Sequence, residues 1–251
     1  MLLMEERRQI IMQELKSNGT VYVSELANRF SVTYETLRKD LTALEANGLL
    51  IKSHGGATLK QNAIEYPFQV REKENINAKK SIARKAMTLI PDKSSIIIGT
   101  GSTTLELANI LSTKSGYKIF TDSLPVASVL INSDNQVFLF GGELRNSSSS
   151  VFGGWTVSQI ENIQVDICFI GSDGFSNFDG PTSPSSSDAF IDQVMIRHSE
   201  KCYILADYTK FTRKSLYRIC SWEDVTGLVT DKHVTKEQID SVQSKTKVIV
   251  G

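Results

Sequence analysis

Ser24 to Gly48 reads SELANRFSVTYETLRKDLTALEANG. The stretch predicts two short helices joined by a tight turn. Ser24 is placed to cap the first, with Glu25 in the first turn, where the helix dipole favours a carboxylate. Leu26, Ala27 and Phe30 supply one apolar face. Ser31-Val32 makes the turn. Thr33 caps the second helix, and Glu35 sits in its first turn. Leu37, Leu41 and Leu44 recur at i, i+4 and i+7, so they share one buried stripe. At about 100° per residue, Glu35, Arg38, Lys39 and Thr42 fall on the opposite arc. Asn47-Gly48 ends the helix with residues that tolerate the left-handed conformation.

A helix with one face buried and short polar or cationic groups on the other suits a DNA major groove. Phosphates need Lys and Arg, and base edges need fixed donors and acceptors. An ordinary amphipathic surface helix has the same pattern, so the flanks decide. Met1 to Ser17 reads as a preceding helix with Met4, Ile11 and Leu15 inward. Leu49 to His54 reads as a short strand ending in Gly55-Gly56, and Val21 to Val23 could pair with it. Three helices and a small β-wing make a winged helix-turn-helix. The candidate DNA-binding residues are Arg8, Thr33, Tyr34, Glu35, Thr36, Arg38, Lys39, Lys52 and His54.

The chain has 251 residues, 40% hydrophobic and 22% charged, which suits one or two globular domains with a real core. No apolar run approaches the ~18 residues that span a bilayer. The N-terminus MLLMEERRQII carries acids and no small-residue cleavage site, so no signal peptide is expected and the location is cytoplasmic. Cys168, Cys202 and Cys220 are odd in number and read as small buried hydrophobes. His54, His198 and His233 are scattered, so neither a metal centre nor a cofactor is expected. Net charge is zero. Residues 1–57 hold seven basic and seven acidic side chains. Positive charge is therefore local, at Arg7, Arg8, Arg38, Lys39 and Lys52. Non-specific DNA affinity should be modest, and binding should depend on pairing two winged helices across a two-part site. That requires a homo-oligomer.

Residues 58–77 lack a clean period and contain Glu65-Tyr66-Pro67-Phe68, so they read as a linker between a domain at 1–57 and another at 78–251. Tyr66 and Phe68 could dock on the second domain. Lys79 to Leu89 predicts a helix. Candidate strands follow at Ser95–Ile98, Tyr117–Phe120, Val137–Phe140, Ile167–Ile170, Cys202–Leu205, Leu228–Val229 and Lys247–Val250. Helices fit at Thr104–Leu111, Pro125–Ile131, Ala189–His198 and Lys236–Val242. Short apolar strands alternating with helices indicate a mostly parallel, Rossmann-like α/β sheet covered on both faces. Ser147 to Ser150 and Pro184 to Ser187 read as polar loops.

Ligands of such sheets sit beyond the C-terminal strand ends. After Ile98 comes Gly99-Thr100-Gly101-Ser102-Thr103-Thr104, then a helix. Glycines let the backbone approach an anion, and hydroxyls and a helix N-terminus donate to it. A phosphate fits, although the string is neither a Walker loop nor a dinucleotide fingerprint; a plain helix-capping turn would look the same. Other strand ends carry Thr121-Asp122-Ser123, Gly141-Gly142-Glu143-Leu144-Arg145, Gly171-Ser172-Asp173-Gly174 and Ala206-Asp207-Tyr208-Thr209-Lys210. Their coincidence suits a hydroxyl-rich sugar phosphate.

Gly19-x-Val21-x-Val23-x-x-Leu26-Ala27, Val32-Thr33-x-x-Thr36-Leu37-Arg38-Lys39-Asp40-Leu41, Leu44-Glu45-x-x-Gly48-Leu49 and His54-Gly55-Gly56-Ala57 together resemble the N-terminal signature of the DeoR-type bacterial transcription regulators. The family more often has Ser at 33 and Arg at 39 and 52. From Lys79 onward the chain resembles the same family's sensor domain, which is similar in fold to ribose phosphate isomerase and glucosamine phosphate deaminase. The marks are Lys79-x-x-Ile82-Ala83, Gly101-Ser102-Thr103-Thr104, Thr121-x-Ser123, Gly141-Gly142, Phe152-Gly153, Gly171-x-x-Gly174 and Asp207-x-x-Lys210. The resemblance implies that Thr100, Gly101, Ser102, Thr103 and Thr104 hold the phosphate and that Lys210 adds a cation. Thr121, Ser123, Gly141, Gly142, Asp173 and Asp207 would then complete the effector site, with the two acids near sugar hydroxyls. The chain departs from the family twice. Asp192 stands where Glu-Ala-x-x-Lys has Lys, and Asp122 where Thr-Asn-Ser has Asn.

These readings imply a DNA-binding regulator, a repressor of a carbohydrate operon, answering to a phosphorylated sugar. A sugar-phosphate isomerase with an appended helical domain is the alternative, with Asp173 or Asp188 as base. It lacks a nearby His, and Ser185-Ser186-Ser187 stands where a Gly-rich loop would help. A third reading is a constitutive DNA binder with a vestigial second domain.

Overall fold

The structure is a computed structural model that describes residues 3–18, 20–46, 49–53, 55–58, 68–175 and 179–251; for 16–18 it gives the backbone. The expected helix end at Asn47-Gly48, the candidate contact His54 and the residue Tyr66 lie outside the described residues. The chain divides into two compact units, Met1–Tyr66 and Pro67–Gly251.

In the first unit α1 (Met4–Asn18) leads through β1 (Thr20–Tyr22) to α2 (Val23–Phe30) and α3 (Tyr34–Ala46), then to β2 (Ile51–Ser53) and β3 (Gly56–Thr58). Ile11 and Leu15 of α1, Leu26 and Phe30 of α2, and Leu37, Leu41 and Leu44 of α3 are buried in one cluster. Met4, expected inward, is 52% exposed, because the chain's first turn extends beyond that cluster. Ser24 does not cap α2: the helix begins one residue earlier, and Tyr22 stands at its N-cap without a side-chain bond. Ser31 ends α2 in the left-handed conformation at φ 53°, its N–H reaching back to Asn28 and Ala27 carbonyls. The wing also differs from the expectation. Strand β1 pairs antiparallel with β3, not with β2, and β3 lies between them. Gly56 sits inside β3, where a Cβ would meet the Val21 carbonyl oxygen at 2.1 Å.

The second unit opens with α4 (Phe68–Lys73) and α5 (Ile76–Met87), so the stretch read as a linker contains a helix and the start of another. Then follow β4 (Ser95–Ile98), α6 (Ser102–Leu111), β5 (Ser115–Thr121), α7 (Leu124–Leu130) and β6 (Asp134–Leu139). A hairpin of β7 (Glu143–Arg145) and β8 (Ser150–Phe152) leads to α8 (Gly154–Glu161) and β9 (Val165–Gly171). Next come β10 (Thr182–Ser183), α9 (Ser186–Arg197), β11 (Ser199–Leu205), β12 (Tyr217–Arg218), β13 (Gly227–Thr230), α10 (Lys236–Gln243) and β14 (Lys247–Val250). Seven strands form one parallel sheet in the order β14-β13-β11-β9-β4-β5-β6. Each central strand feeds both faces. Ile96, Ile98, Ile167 and Phe169 pack with α5, α6 and α7. Ile97, Cys168, Ile170 and Ile204 pack with α8 and α9. Continuous apolar strands are what two covered faces require.

The chain runs from β4 outward to β5 and β6, then returns to β9 on the other side of β4. The strand order therefore reverses between β4 and β9, and the crevice at such a point is where doubly wound sheets hold ligands. Ser148 and Ser150 correct the polar-loop reading: both are buried, with their hydroxyls 2.7 Å apart. Ser185 caps α9 by accepting the Asp188 N–H at 3.2 Å. Cys168 and Cys202 are buried free thiols on neighbouring strands. No helix among the described residues is long and apolar enough to cross a membrane.

Candidate functional site

Helix α3 presents Tyr34, Glu35, Arg38, Lys39 and Thr42 to solvent, while Leu37, Asp40, Leu41 and Leu44 are buried. Thr33 starts the helix: its Oγ1 accepts the Thr36 N–H at 3.2 Å and lies 2.9 Å from the Thr36 hydroxyl. Among the described residues Arg38 makes no ion pair. Lys39 stands 3.9 Å from Glu35 with both side chains exposed, a pairing too weak to hold it from a phosphate.

The opposite face holds the helix in place. Asp40 is buried and takes Arg7 Nε on Oδ2 at 2.6 Å and Arg8 Nε on Oδ1 at 3.0 Å. A charge-assisted clamp of this kind fixes α3 against α1. Arg8, predicted to touch DNA, is thus engaged through Nε. Lys52 also has a partner. Its N–H donates to Glu45 Oε1 at 2.9 Å, and its Nζ reaches Glu45 Oε2 at 3.2 Å and Thr42 Oγ1 at 3.1 Å. These bonds, the backbone N–H first, hold the Glu45 carboxyl below the usual range. Asp40 and Glu45 were not among the expected functional residues; both act by positioning the others.

In the second unit the predicted loop residues divide into two groups. Thr104, Thr121 and Ser123 are spent on the backbone. Thr104 Oγ1 donates to the Gly99 and Gly101 carbonyls at 2.7 and 2.8 Å, and Thr121 Oγ1 donates to Ile98 O at 2.6 Å. Ser123 Oγ caps α7 by accepting the Val126 N–H. These residues shape the loops after β4 and β5. Gly141 and Gly142 are similarly structural. Gln159 and Thr156 of α8 bond to Gly141, and a Cβ on Gly142 would lie 2.2 Å from Thr156 Oγ1. Thr100 donates to Ser148 O at 3.3 Å. Ser102 and Thr103, in the first turn of α6, carry no side-chain hydrogen bond among the described residues.

Cations gather at the β9 and β11 ends of the same edge. Arg71 of α4 lies 3.9 Å from Asp173, just past β9. Asp207 is buried and caps the short turn Tyr208–Phe211 by accepting the Thr209 N–H at 2.9 Å. That turn carries Lys210, whose pKa is lowered by burial against the pull of Asp173 and Asp207. Lys79 of α5 is buried, and its ammonium donates to the Arg71 and Glu74 carbonyls. Its pKa falls to about 8 because burial, helped by the nearby Lys210 and Arg71 charges, outweighs Asp207 and Glu106. Arg213 is 3.6 Å from Glu74. Four cations thus share one corner with four acids, Asp173, Asp207, Glu74 and Glu106. The sequence reading found Lys210, Asp173 and Asp207. It missed Arg71 and Arg213, which lie in stretches without periodicity, and it counted Lys79 as a family mark only.

Acids gather between the end of β5 and α9. Asp122, after β5, is 3% exposed, and its Oδ1 is buried without a hydrogen-bond partner. Burial first, then Asp188, raise its pKa to about 8, although the N–H groups of Asp122 and Thr100 oppose this. Asp192 of α9 is raised by burial and by Asp122, Asp188 and Asp173. Asp188 has Arg145 at 3.3 Å. Among the described residues, no group of three or more His, Cys, Asp or Glu side chains could hold a metal ion.

Residues 7–63 match the family described as the DeoR-like helix-turn-helix domain, and residues 74–232 match the DeoR C terminal sensor domain. The chain belongs to the DeoR family. It is 33% identical over 233 residues to the HTH-type transcriptional regulator GolR of Listeria innocua serovar 6a, covering 92% of each chain. It is 29% identical over 227 residues to the glycerol-3-phosphate regulon repressor of Escherichia coli strain K12, covering 90% of each. Among solved structures, ribose 5-phosphate isomerase A of Methanocaldococcus jannaschii aligns with 56% of each chain at 16% identity and a TM-score of 0.42. This DeoR-family chain is a DNA-binding regulator and not an enzyme; the isomerase alternative falls with that assignment.

Proposed function

We propose that the protein is a cytoplasmic repressor of a carbohydrate uptake or breakdown operon, released from its operator by a phosphorylated sugar. The reader occupies 1–57 and the sensor 78–251, joined through 58–77, and the working form is a homo-oligomer that pairs two readers on double-stranded DNA. The observation that carries the sensor half is the corner of Arg71, Lys79, Lys210 and Arg213 beside the unspent hydroxyls of Ser102 and Thr103. One buried and three half-buried cations beside a helix N-terminus favour a compact dianion with donors for its oxygens. Asp173 and Asp207 supply acceptors for sugar hydroxyls. For the reader, Thr36 and Arg38 would face base edges, and Tyr34, Lys39, Arg8 and Lys52 the flanking phosphates. The effector must bind the DNA-competent and DNA-free conformations unequally, or it changes nothing.

The test is fluorescence anisotropy on the protein's own promoter fragment, titrated with a panel of sugar phosphates. One member should release the fragment, while its unphosphorylated sugar should not. Release by no member would leave a constitutive binder.

A further inference from the structure

We propose that the effector cleft has a second, acidic pole, formed by Asp122 and Asp192, that receives an ammonium group, so that the ligand class is a phosphorylated amino sugar. The proposal rests on the sugar-phosphate reading above and narrows it.

The two poles flank one loop. On the β9 and β11 side of Gly99–Thr103 stand Arg71, Lys79, Lys210 and Arg213. At the end of β5 stands Asp122, and acting on it from α9, which packs against β8, β9 and β11, are Asp188 and Asp192. Asp173 connects them, near Arg71 at 3.9 Å and within the field of Asp192. Arg145 answers Asp188. No cation among the described residues answers the other two: Asp122 Oδ1 is buried without a hydrogen-bond partner, although the N–H groups of Asp122 and Thr100 bear on its carboxyl, and Asp192 faces the further acids Asp122, Asp188 and Asp173. Two neighbouring buried carboxyls hold their protons well above the usual range, and a cation placed between them favours the carboxylate. Such groups persist where a ligand completes them. A hydroxyl supplies one hydrogen; an ammonium supplies three and a full positive charge. A zwitterion with a phosphate at one end and an amine at the other matches the two groups of charges, its ammonium sending to solvent the proton that Asp122 holds at pH 7.

The experiment is calorimetric titration of the full-length protein at pH 7 with two matched pairs. These are glucosamine 6-phosphate against glucose 6-phosphate, and galactosamine 6-phosphate against galactose 6-phosphate. The amine of one pair should bind about tenfold or more tightly than its hydroxyl counterpart, the scale of a charge-assisted hydrogen bond. N-acetylation of that amine should abolish the preference. In Asp122→Asn and Asp192→Asn the ratio should fall toward one. Equal or weaker binding of both amines, with a hydroxyl sugar phosphate bound, would overturn the acidic pole and leave the sugar-phosphate reading standing. An amine preference that survives in both variants would overturn the assignment to these residues. Binding of none of the four would overturn the amino-sugar proposal, while the sugar-phosphate reading stands or falls by the operator-release panel. The wild-type pairs decide the matter even if a variant fails to fold.

Discussion

Asp122 shows how one side chain can decide a site's chemistry. Its carboxyl is held protonated to about pH 8, chiefly by burial. The folded state therefore binds a proton that the unfolded chain has released near pH 4, and stability falls as pH rises from about 4 to about 8. Asp122→Asn should remove that slope. Thermal unfolding should show the variant more stable than wild type by roughly 1–3 kcal/mol at pH 8, with the gain vanishing near pH 4. A constant difference across that range would mean the carboxyl is not the titrating group. Lys79 works in the opposite sense. With its pKa lowered to about 8, it loses its charge just above neutrality. Sugar-phosphate affinity should weaken by roughly fivefold between pH 7 and 9, about 1 kcal/mol for one nearby charge. Lys79→Met should flatten that profile in a titration series.

Among the elements, α3 and β3 carry the clearest expectations. Thr33 caps the reading helix, so Thr33→Ala should lower stability of the first unit by about 1 kcal/mol, read by chemical denaturation. Arg38→Ala should leave that stability unchanged and weaken operator binding by about 1–3 kcal/mol, because Arg38 spends nothing on the fold. Gly56→Ala should be worse tolerated than either, since its Cβ would enter the Val21 carbonyl and separate β1 from β3. Periodic elements were legible in the sequence: the α3 stripe and every strand of the parallel sheet. Those without a period were not. Strand β3 is Gly-Ala-Thr, with no large side chain to mark it. Helix α8 opens on Gly153-Gly154 and leaves Trp155 81% exposed, and α4 is only six residues long.

For the molecule as a whole, the two poles of the sensor and the charge balance of the chain matter most. With zero net charge, long-range attraction to DNA is small, so specific contacts must supply affinity, and the proposed homo-oligomer would double them by pairing two readers. A promoter fragment with one half-site mutated should be bound at least tenfold more weakly than the intact fragment in a gel-shift titration. Lys210→Ala should still bind the intact fragment yet fail to release it at effector concentrations that free the wild type. Release at wild-type concentrations would remove Lys210 from the phosphate site.

The sequence by itself determined the types of the periodic elements, the sides of α3, and the loops that follow the parallel strands. Each follows from a local rule: apolar period, capping residue, or glycine after a strand. Tertiary structure decided what those loops do. Thr104, Thr121, Ser123 and Gly142 were chosen for the ligand on composition, but the fold spends them on its own backbone. Arg71, Lys79 and Arg213 reach the effector corner from separate stretches. Asp122 and Asp192, 70 positions apart in the chain, share one buried environment. Charges act through space, and only the folded chain fixes which of them meet and how much water remains between them.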